Sequence, residues 1–556
     1  MVEGTIRSLF SKYESTDNAS ISELILSVPE NFSIAINRIK SSESWSVNTI
    51  ASKNDSSTIL KNRIKLQEFI NSYHLEAQTL TGNVLNRIKL LNKPNTEILV
   101  SIHQPNLFPY GGIFKKIILL EAIKNTIEKC NEEKKIINLF VIVDHDFMDE
   151  IWVRVAQLPS IHHSSGILNL RMPVDSKRRW LMIKNMPLPT RVILDNWRQQ
   201  ILSWIKKLSD YSFIEIDKPS IFHNFEVFWN EVENSYLNAK SYSDFNSFLM
   251  SSIVNKKWNY GTLFVRLSDL SFVFQDGIKY LVSNYEKYSQ ILRKSESMFN
   301  FNGIDSGISP SISKTSPLWL NCKCGSKAST KIKQQNEIMF LVGTCRSCKT
   351  DLQLCLGNKN DLDLSVEILQ NLSPRAIPIL LLLSRDLGIN CYVSGTAGLK
   401  YIIFGSELFN ELSIDMPLIM VWPSRDIYRG IGQSDALNSL NLPNDIDVDT
   451  YLKLLSHKNY ECENKIKPLL DDRKLTTKTG KSISQKLSRD FYDLKEEQRK
   501  VRQQIGDAKK VKNAIDLSPC FIDYAVNFGI KNIGMQWYNS LLKENNFAAP
   551  LFLNIK

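Results

Sequence analysis

The sequence predicts an α/β protein: a Rossmann-type parallel sheet core with an inserted zinc ribbon and a C-terminal helical, coiled-coil arm. Three observations predict it. Short β-branched apolar runs alternate with helix-length segments. Four cysteines fall into two close pairs in mid-chain. The stretch from about residue 444 to 515 is charged and helical in pattern. At 556 residues the chain exceeds the size one core usually reaches. The expected organisation is an N-terminal helical region (1–95), a first part of the core (96–310), the ribbon (311–358), a second part of the core (359–443) and the helical arm (444–556).

The N-terminal region carries apolar residues at helical spacing over Ile21–Val28 and Leu60–Ile88, and Lys93-Pro94-Asn95 ends it. Glu97–Ile102 is an apolar run of buried-strand character. A Pro-, Asn- and Gly-rich turn from His103 to Gly112 follows, then a helix over Ile113–Lys129. Ile136–Val143 is a second strand, ending at Asp144-His145-Asp146. Strand, turn, helix and strand make one βαβ unit, whose ligands bind at the carboxyl ends of the strands. Thr262–Leu267 reads as a further strand. After the ribbon the alternation resumes: a helix over Ile377–Arg385, a strand over Asn390–Val393, the turn Ser394-Gly-Thr-Ala-Gly398, a helix over Leu399–Leu412 and a strand over Pro417–Val421. Asp490–Asn513 is charged with sparse apolar positions, the pattern of an exposed helix or part of a coiled coil.

Cys322-Lys-Cys324 and Cys345-Arg-Ser-Cys348 have the pairing and separation of a tetrahedral Zn²⁺ site. Four protein ligands leave no position for water, so the expected zinc is structural. The net charge of +11 favours anionic ligands, although dispersed lysine is most often a solvated surface. Nine cysteines in a chain this long do not make a disulfide scaffold. The first twenty residues are polar, and the longest apolar runs are too short to span a bilayer. The expectation is therefore a cytoplasmic protein with no membrane partner.

The candidate catalytic residues are His103, Gln104, Asp144, His145 and Asp146, since both groups follow strands of one βαβ unit. An Asp beside a His orients the ring and raises its pKa, which suits His145 to acid–base work; acidic groups also hold an amine. The candidate substrate- and nucleotide-binding residues are Asn106, Gly111, Gly112, Lys115, Ser394, Gly395, Thr396 and Arg425. They offer small turns, amide donors and cations to phosphate or carboxylate. Lys478-Thr-Gly-Lys-Ser482 is no P-loop, because Leu475 stands where the first glycine belongs and no strand precedes it.

Taken in order, these blocks resemble the bacillithiol-biosynthesis cysteine-adding enzymes, the BshC family. Ser101-Ile-His-Gln104 stands at that family's Gly-Gln-Gln turn, and Phe108–Ile117 resembles its helix start. Phe140–Ile151, with Asp144-His-Asp146, resembles its most distinctive block. Tyr392–Gly398 resembles its Gly-Pro-Gly-Glu loop, without the Glu, and Asp415–Arg425 the strand that follows. His103-Gln-Pro-Asn106 also resembles the WbqC-like family. The first resemblance implies a ligase that joins cysteine to a glucosaminyl-malate amine, with carboxylate activation by a nucleotide (ATP/ADP) and a helical arm that makes a homodimer. The alternative is a zinc-ribbon protein that binds nucleic acid, tRNA in particular; the charge, the ribbon and Lys478–Ser482 motivate it, while an aromatic-basic RNA signature is lacking. A third reading is a dimeric structural protein that kept the fold without the chemistry.

Overall fold

The structure, a computed structural model, describes residues 5–14, 18–41, 56–211, 217–309, 312–423, 426–440, 442, 446–479 and 485–553. Its centre is a five-stranded, all-parallel sheet. We label its strands β1 (Thr96–His103), β2 (Lys135–Ile142), β3 (Leu263–Arg266), β4 (Cys391–Ser394) and β5 (Leu418–Val421). The spatial order is β5-β4-β1-β2-β3. From β1 the chain winds out through β2 to β3 and then returns to build β4 and β5 on the other side. This is the doubly wound Rossmann order, with its topological switch between β1 and β4. β1 and β2 are buried almost end to end, as their unbroken apolar runs require of strands covered on both faces.

Helix α1 (Gly111–Cys130) follows β1 and helix α2 (Thr396–Glu411) follows β4. The N-terminal helices pack on the core. Ser56–Glu76 and Gly82–Ile88 are two helices where periodicity suggested one, because Thr81 caps the second by accepting from Val84 N–H. Arg63, fully buried, donates to the carbonyl oxygens of Thr96, Leu387 and Gly388, which stitches the first of these helices to the sheet. Between β2 and β3 lie a one-turn helix (Ile151–Arg154), a hairpin (Val155–Pro159 with Ile167–Arg171) and the longer helices Arg191–Tyr211, Lys218–Asn238 and Tyr242–Ser252.

The inserted module is built on one antiparallel sheet. Its antiparallel sheet runs from Leu318–Asn321 through Lys327–Gln335, Ile338–Cys345 and Asp351–Asn358 to Asp361–Leu362. Leu372–Pro374 then pairs back against Leu318–Asn321. The sheet of this module thus continues past residue 358 to Pro374, whose strand is too short to carry a sequence signal.

The helical arm is likewise only part of the C-terminal region. Helices α3 (Val448–Lys478) and α4 (Gln485–Asp516) lie against each other, with Leu455, Val501 and Ala508 buried between them. Beyond Cys520 the chain folds back into the core. Helices Phe521–Phe528 and Ile530–Glu544 bury Tyr524 and Trp537, and Leu551–Leu553 pairs in parallel with Asp426–Tyr428. Among the described residues no helix is long and apolar enough to cross a membrane.

Candidate functional site

The carboxyl ends of β1, β2 and β4 meet at the switch point, where an open α/β sheet offers its ligand crevice. The β1–α1 turn is held from below. Phe108 adopts a left-handed φ of 42°, its N–H reaches Asn246 Oδ1 at 3.3 Å, and its ring packs among Trp197, Phe228, Trp229 and Phe245. A bulky residue in this region of backbone space is strained, and the aromatic cluster holds it there.

His103 ends β1. Its Nδ1 lies 3.1 Å from the carbonyl oxygen of Gln104, and its Nε2 lies 3.2 Å from the Tyr110 hydroxyl. A carbonyl only accepts, so Nδ1 carries the proton and Nε2 accepts from the Tyr110 O–H. Burial, aided by the Lys116 charge, lowers the His103 pKa to about 3, and the ring is neutral. Gln104 bridges the strand ends: Nε2 donates to Asp146 Oδ2 at 2.6 Å, and Oε1 accepts from the Trp152 indole at 2.8 Å.

The Asp-His-Asp block divides into three jobs. Asp144 is fully buried and accepts from Ser268 N–H (3.0 Å) and Ser268 Oγ (2.5 Å), tying the end of β2 to the end of β3. Burial raises its pKa. His145 is buried against the Pro374 carbonyl of the ribbon's last strand. Burial, with the charges of Lys327 and Lys184, holds its pKa well below the ordinary value. The expectation that a neighbouring Asp raises the His145 pKa is therefore corrected, because Asp144 turns to Ser268 and desolvation dominates. Of the three, Asp146 reaches the crevice. Nearby Glu150 is exposed, its carboxyl raised by partial burial and by the charges of Asp146 and Asp149.

On the β4 side, Ser394, Gly395 and Thr396 form the turn into α2, whose first turn has no side-chain cap. A Cβ at Gly395 would lie 3.5 Å from Lys116 Nζ, so glycine makes room for that amine. Lys116 is buried and desolvation lowers its pKa to about 8. Lys400 and Tyr401 of α2 complete this wall. Lys400 acts electrostatically on Glu150, and Tyr401 is influenced by Asp146 and Glu150 after its main influence, burial.

Several expected ligand residues lie elsewhere. Lys115 turns away from the crevice to pair with Asp426 at 2.8 Å beside Trp537. Gly111 serves helix packing, since a Cβ there would meet Tyr524 at 2.9 Å, and Gly112 is buried in the same helix. Arg425 lies outside the described residues, as do Gly480, Lys481 and Ser482 of the Lys478–Ser482 motif. Sequence reading missed Tyr110, Lys116, Glu150, Trp152, Lys327, Lys400 and Tyr401. For Lys116 a signal existed in its position one residue past Lys115 on the same helix; for Lys327 there was none.

The four cysteines converge as expected. Their Sγ atoms all lie within 4.8 Å of one another, with Cys322–Cys348 at 3.6 Å and Cys324–Cys345 at 3.5 Å. Zn–S bonds of about 2.3 Å in a tetrahedron put sulfurs about 3.8 Å apart, so the set suits a metal ion such as zinc. The knuckle also forms part of the site's wall. Gly325, at φ 87°, offers its carbonyl to Met182 N–H (3.0 Å) and Asn185 Nδ2 (2.9 Å) on the loop after the Asp-His-Asp block. Lys327 is buried with Nζ over the rings of Phe147 (4.8 Å) and Trp319 (4.6 Å), 3.8 Å from Asp146 Oδ1. Arg346, between the second pair of cysteines, stacks on Trp180 at 3.7 Å. The module thus delivers a cation to the carboxylate at the end of β2.

No protein-family model matches the chain, and no curated protein does. Among solved structures, a chain from Campylobacter jejuni described as a "putative arginyl t-RNA synthetase" aligns with 86% of this chain and 98% of its own. Its identity is 11% and its TM-score 0.22, a likeness too slight to bear on fold or function.

Proposed function

We propose that the chain is a carbon–nitrogen ligase that joins the carboxyl group of an amino acid to a small amine. Following the resemblance in its sequence blocks, the amino acid is cysteine and the amine a glucosaminyl-malate. The observation that carries this reading is the division of charge at the switch point. Asp146 and Glu150 stand on the β2 side, and Lys116 with the uncapped start of α2 stands on the β4 side. Carboxylates hold an ammonium substrate, while a buried lysine and free helix amides hold a carboxylate or phosphate.

In such a step the amine nitrogen forms a bond to the acyl carbon, the acyl carbon loses its activated oxygen leaving group, and the amine gives up a proton. That proton passes to solvent; His103, held neutral with its pKa lowered to about 3, orients the Tyr110 hydroxyl and is not the base. ATP is the activating co-substrate on this reading. The structural zinc holds the ribbon, and hence Lys327, against Asp146. The long helices α3 and α4 expose Tyr460, Leu475 and Tyr492 and serve a homodimer.

The test is mass spectrometry of purified protein incubated with cysteine and glucosaminyl-malate, with and without ATP. A cysteinyl amide formed only with ATP is expected, with Asp146→Asn at least tenfold slower. No amide from folded protein would set the reading aside. The nucleic-acid alternative predicts RNA binding that weakens steeply with salt. It is disfavoured because the ribbon's Lys327 is buried on Phe147 and Trp319, where a phosphate backbone does not reach it.

A further inference from the structure

Four lysines among the described residues are buried, and three of them have a carboxylate. Lys115 pairs with Asp426 at 2.8 Å, Lys124 meets Glu121 at 2.6 Å, and Lys327 lies 3.8 Å from Asp146. Lys116 is the exception. It is 7% exposed, and no hydrogen bond or ion pair holds its Nζ among the described residues. A buried ammonium without a counter-charge is costly, and proteins pair such groups or give them a ligand. The atom is not one of the unpartnered polar groups sealed from solvent in the core, so a ligand can reach it.

The group it faces is the start of α2, a helix of 16 residues. A Cβ on Gly395, the residue before the helix, would lie 3.3 Å from Lys116 Cε and 3.5 Å from its Nζ. Gly395 places no side chain over the first turn. The Gly398 N–H turns back to the Gly395 carbonyl at 3.2 Å, while the N–H groups of Thr396 and Ala397 have no acceptor among the described residues. Thr396 and Ala397 are exposed, so this end of the helix is open to solvent. An ammunition of donors from two elements, one a full charge and the other a helix N-terminus worth about half a charge, thus converges on one spot.

We infer that Lys116 and the first turn of α2 form a phosphate site, in which the Nζ and the Thr396 and Ala397 amides each meet a terminal oxygen of one phosphoryl group. A lysine is a point charge that suits a tetrahedral phosphate, whereas a planar carboxylate is best met by the fork of an arginine. Free first-turn amides bind phosphate for the same reason: several N–H groups point at one anion. Two sources share this chemistry, a nucleotide polyphosphate and a phosphate monoester. The inference rests on the ligase reading for its role and deepens it, since that reading left the anion on the β4 side open between carboxylate and phosphate.

Isothermal titration calorimetry of the full chain at pH 7 with ATP and with glucose 6-phosphate tests it, with succinate as a doubly charged carboxylate for comparison. At least one phosphate compound binds, the one that binds identifies the source, and succinate binds about tenfold more weakly or not at all. Lys116→Met keeps the length of the side chain, and its melting temperature verifies folding. It weakens phosphate binding by about tenfold or more, the loss of one charge-assisted contact. The unmodified protein gives a second readout. Pyridoxal phosphate condenses with a lysine amine, losing water to form an imine that borohydride reduces to a stable secondary amine, and peptide mass spectrometry locates it. Lys116 is labelled faster by pyridoxal phosphate than by pyridoxal, and inorganic phosphate protects it. Absence of binding by both phosphate compounds overturns the inference, as does succinate binding as tightly, unchanged binding by folded Lys116→Met, or labelling of Lys116 that phosphate does not slow. None of these readouts needs turnover. A chain that binds phosphate at Lys116 but forms no amide keeps the site and loses only the proposed reaction, while one that forms the amide without this binding loses only the site.

Discussion

The ribbon and the long helical pair both leave the α/β core, yet they are attached to it in opposite ways. The ribbon turns one cation inward: Lys327 is buried over Phe147 and Trp319 and approaches Asp146, with Arg375, just past the ribbon, also over Trp319. The paired helices turn theirs outward, into exposed ion pairs such as Arg502–Glu463 (3.0 Å) and Lys458–Glu497 (3.2 Å). A buried cation against aromatic rings and a carboxylate is felt by its neighbours, because little water screens it. An exposed pair is screened and contributes little. An insertion that buries its charge therefore becomes part of the site, whereas one that solvates its charge remains a spacer or a contact surface.

The comparison is broken most severely through the metal. Chelation, or Cys345→Ser, is expected to unfold the ribbon, because structural zinc contributes on the order of 10 kcal/mol to small modules of this kind. Amide formation should then fall at least a hundredfold, with metal content read by mass spectrometry and ribbon order by hydrogen exchange. A chelated protein that keeps full activity would separate the ribbon from the site.

The next effect is smaller and depends on pH. Lys116 and Lys327 each have a pKa lowered to about 8 by burial, so each is charged below that value and neutral above it. Binding of an anionic substrate should weaken as pH rises through about 8, and KM should rise. Lys116→Met should remove that limb and raise KM about tenfold at pH 7, the cost of one charge-assisted contact at the low end. Lys327→Met should lower kcat more than KM, since Lys327 acts through Asp146. A wild-type KM flat from pH 7 to 9.5 would rule out the Lys116 assignment, and a kcat flat over the same range the Lys327 one.

The smallest effect belongs to the helices. Arg502→Ala removes a pair whose partners are both about half exposed. It should leave the melting temperature nearly unmoved and kcat unchanged, because water screens the pair. A large loss of activity would mean that α3 and α4 reach a site after all.

Local chemistry in the chain was enough to identify the strands β1 and β2, the polar groups at their ends and the four thiols. Parallel strands covered on both faces must be continuously apolar, and a tetrahedral thiolate site needs close cysteine pairs, so each leaves a mark within a few residues. Tertiary structure alone decided which groups face the crevice. Ser101 meets the Val393 carbonyl across nearly three hundred positions of sequence, and no short-range pattern specifies that pairing. Lys115 and Lys116 are neighbours about 100° apart on one helix. The first is taken by Asp426 and the returning C-terminal helices, which leaves the second for Gly395. The Asp-His-Asp block was legible as a motif, but its roles were not. Whether an acid beside a histidine orients it depends on which partner lies nearer, and here Ser268 takes Asp144 while the ribbon covers His145. Hydrophobic periodicity and ligand spacing are written along the chain, while desolvation and charge pairing depend on what packs around each group in space.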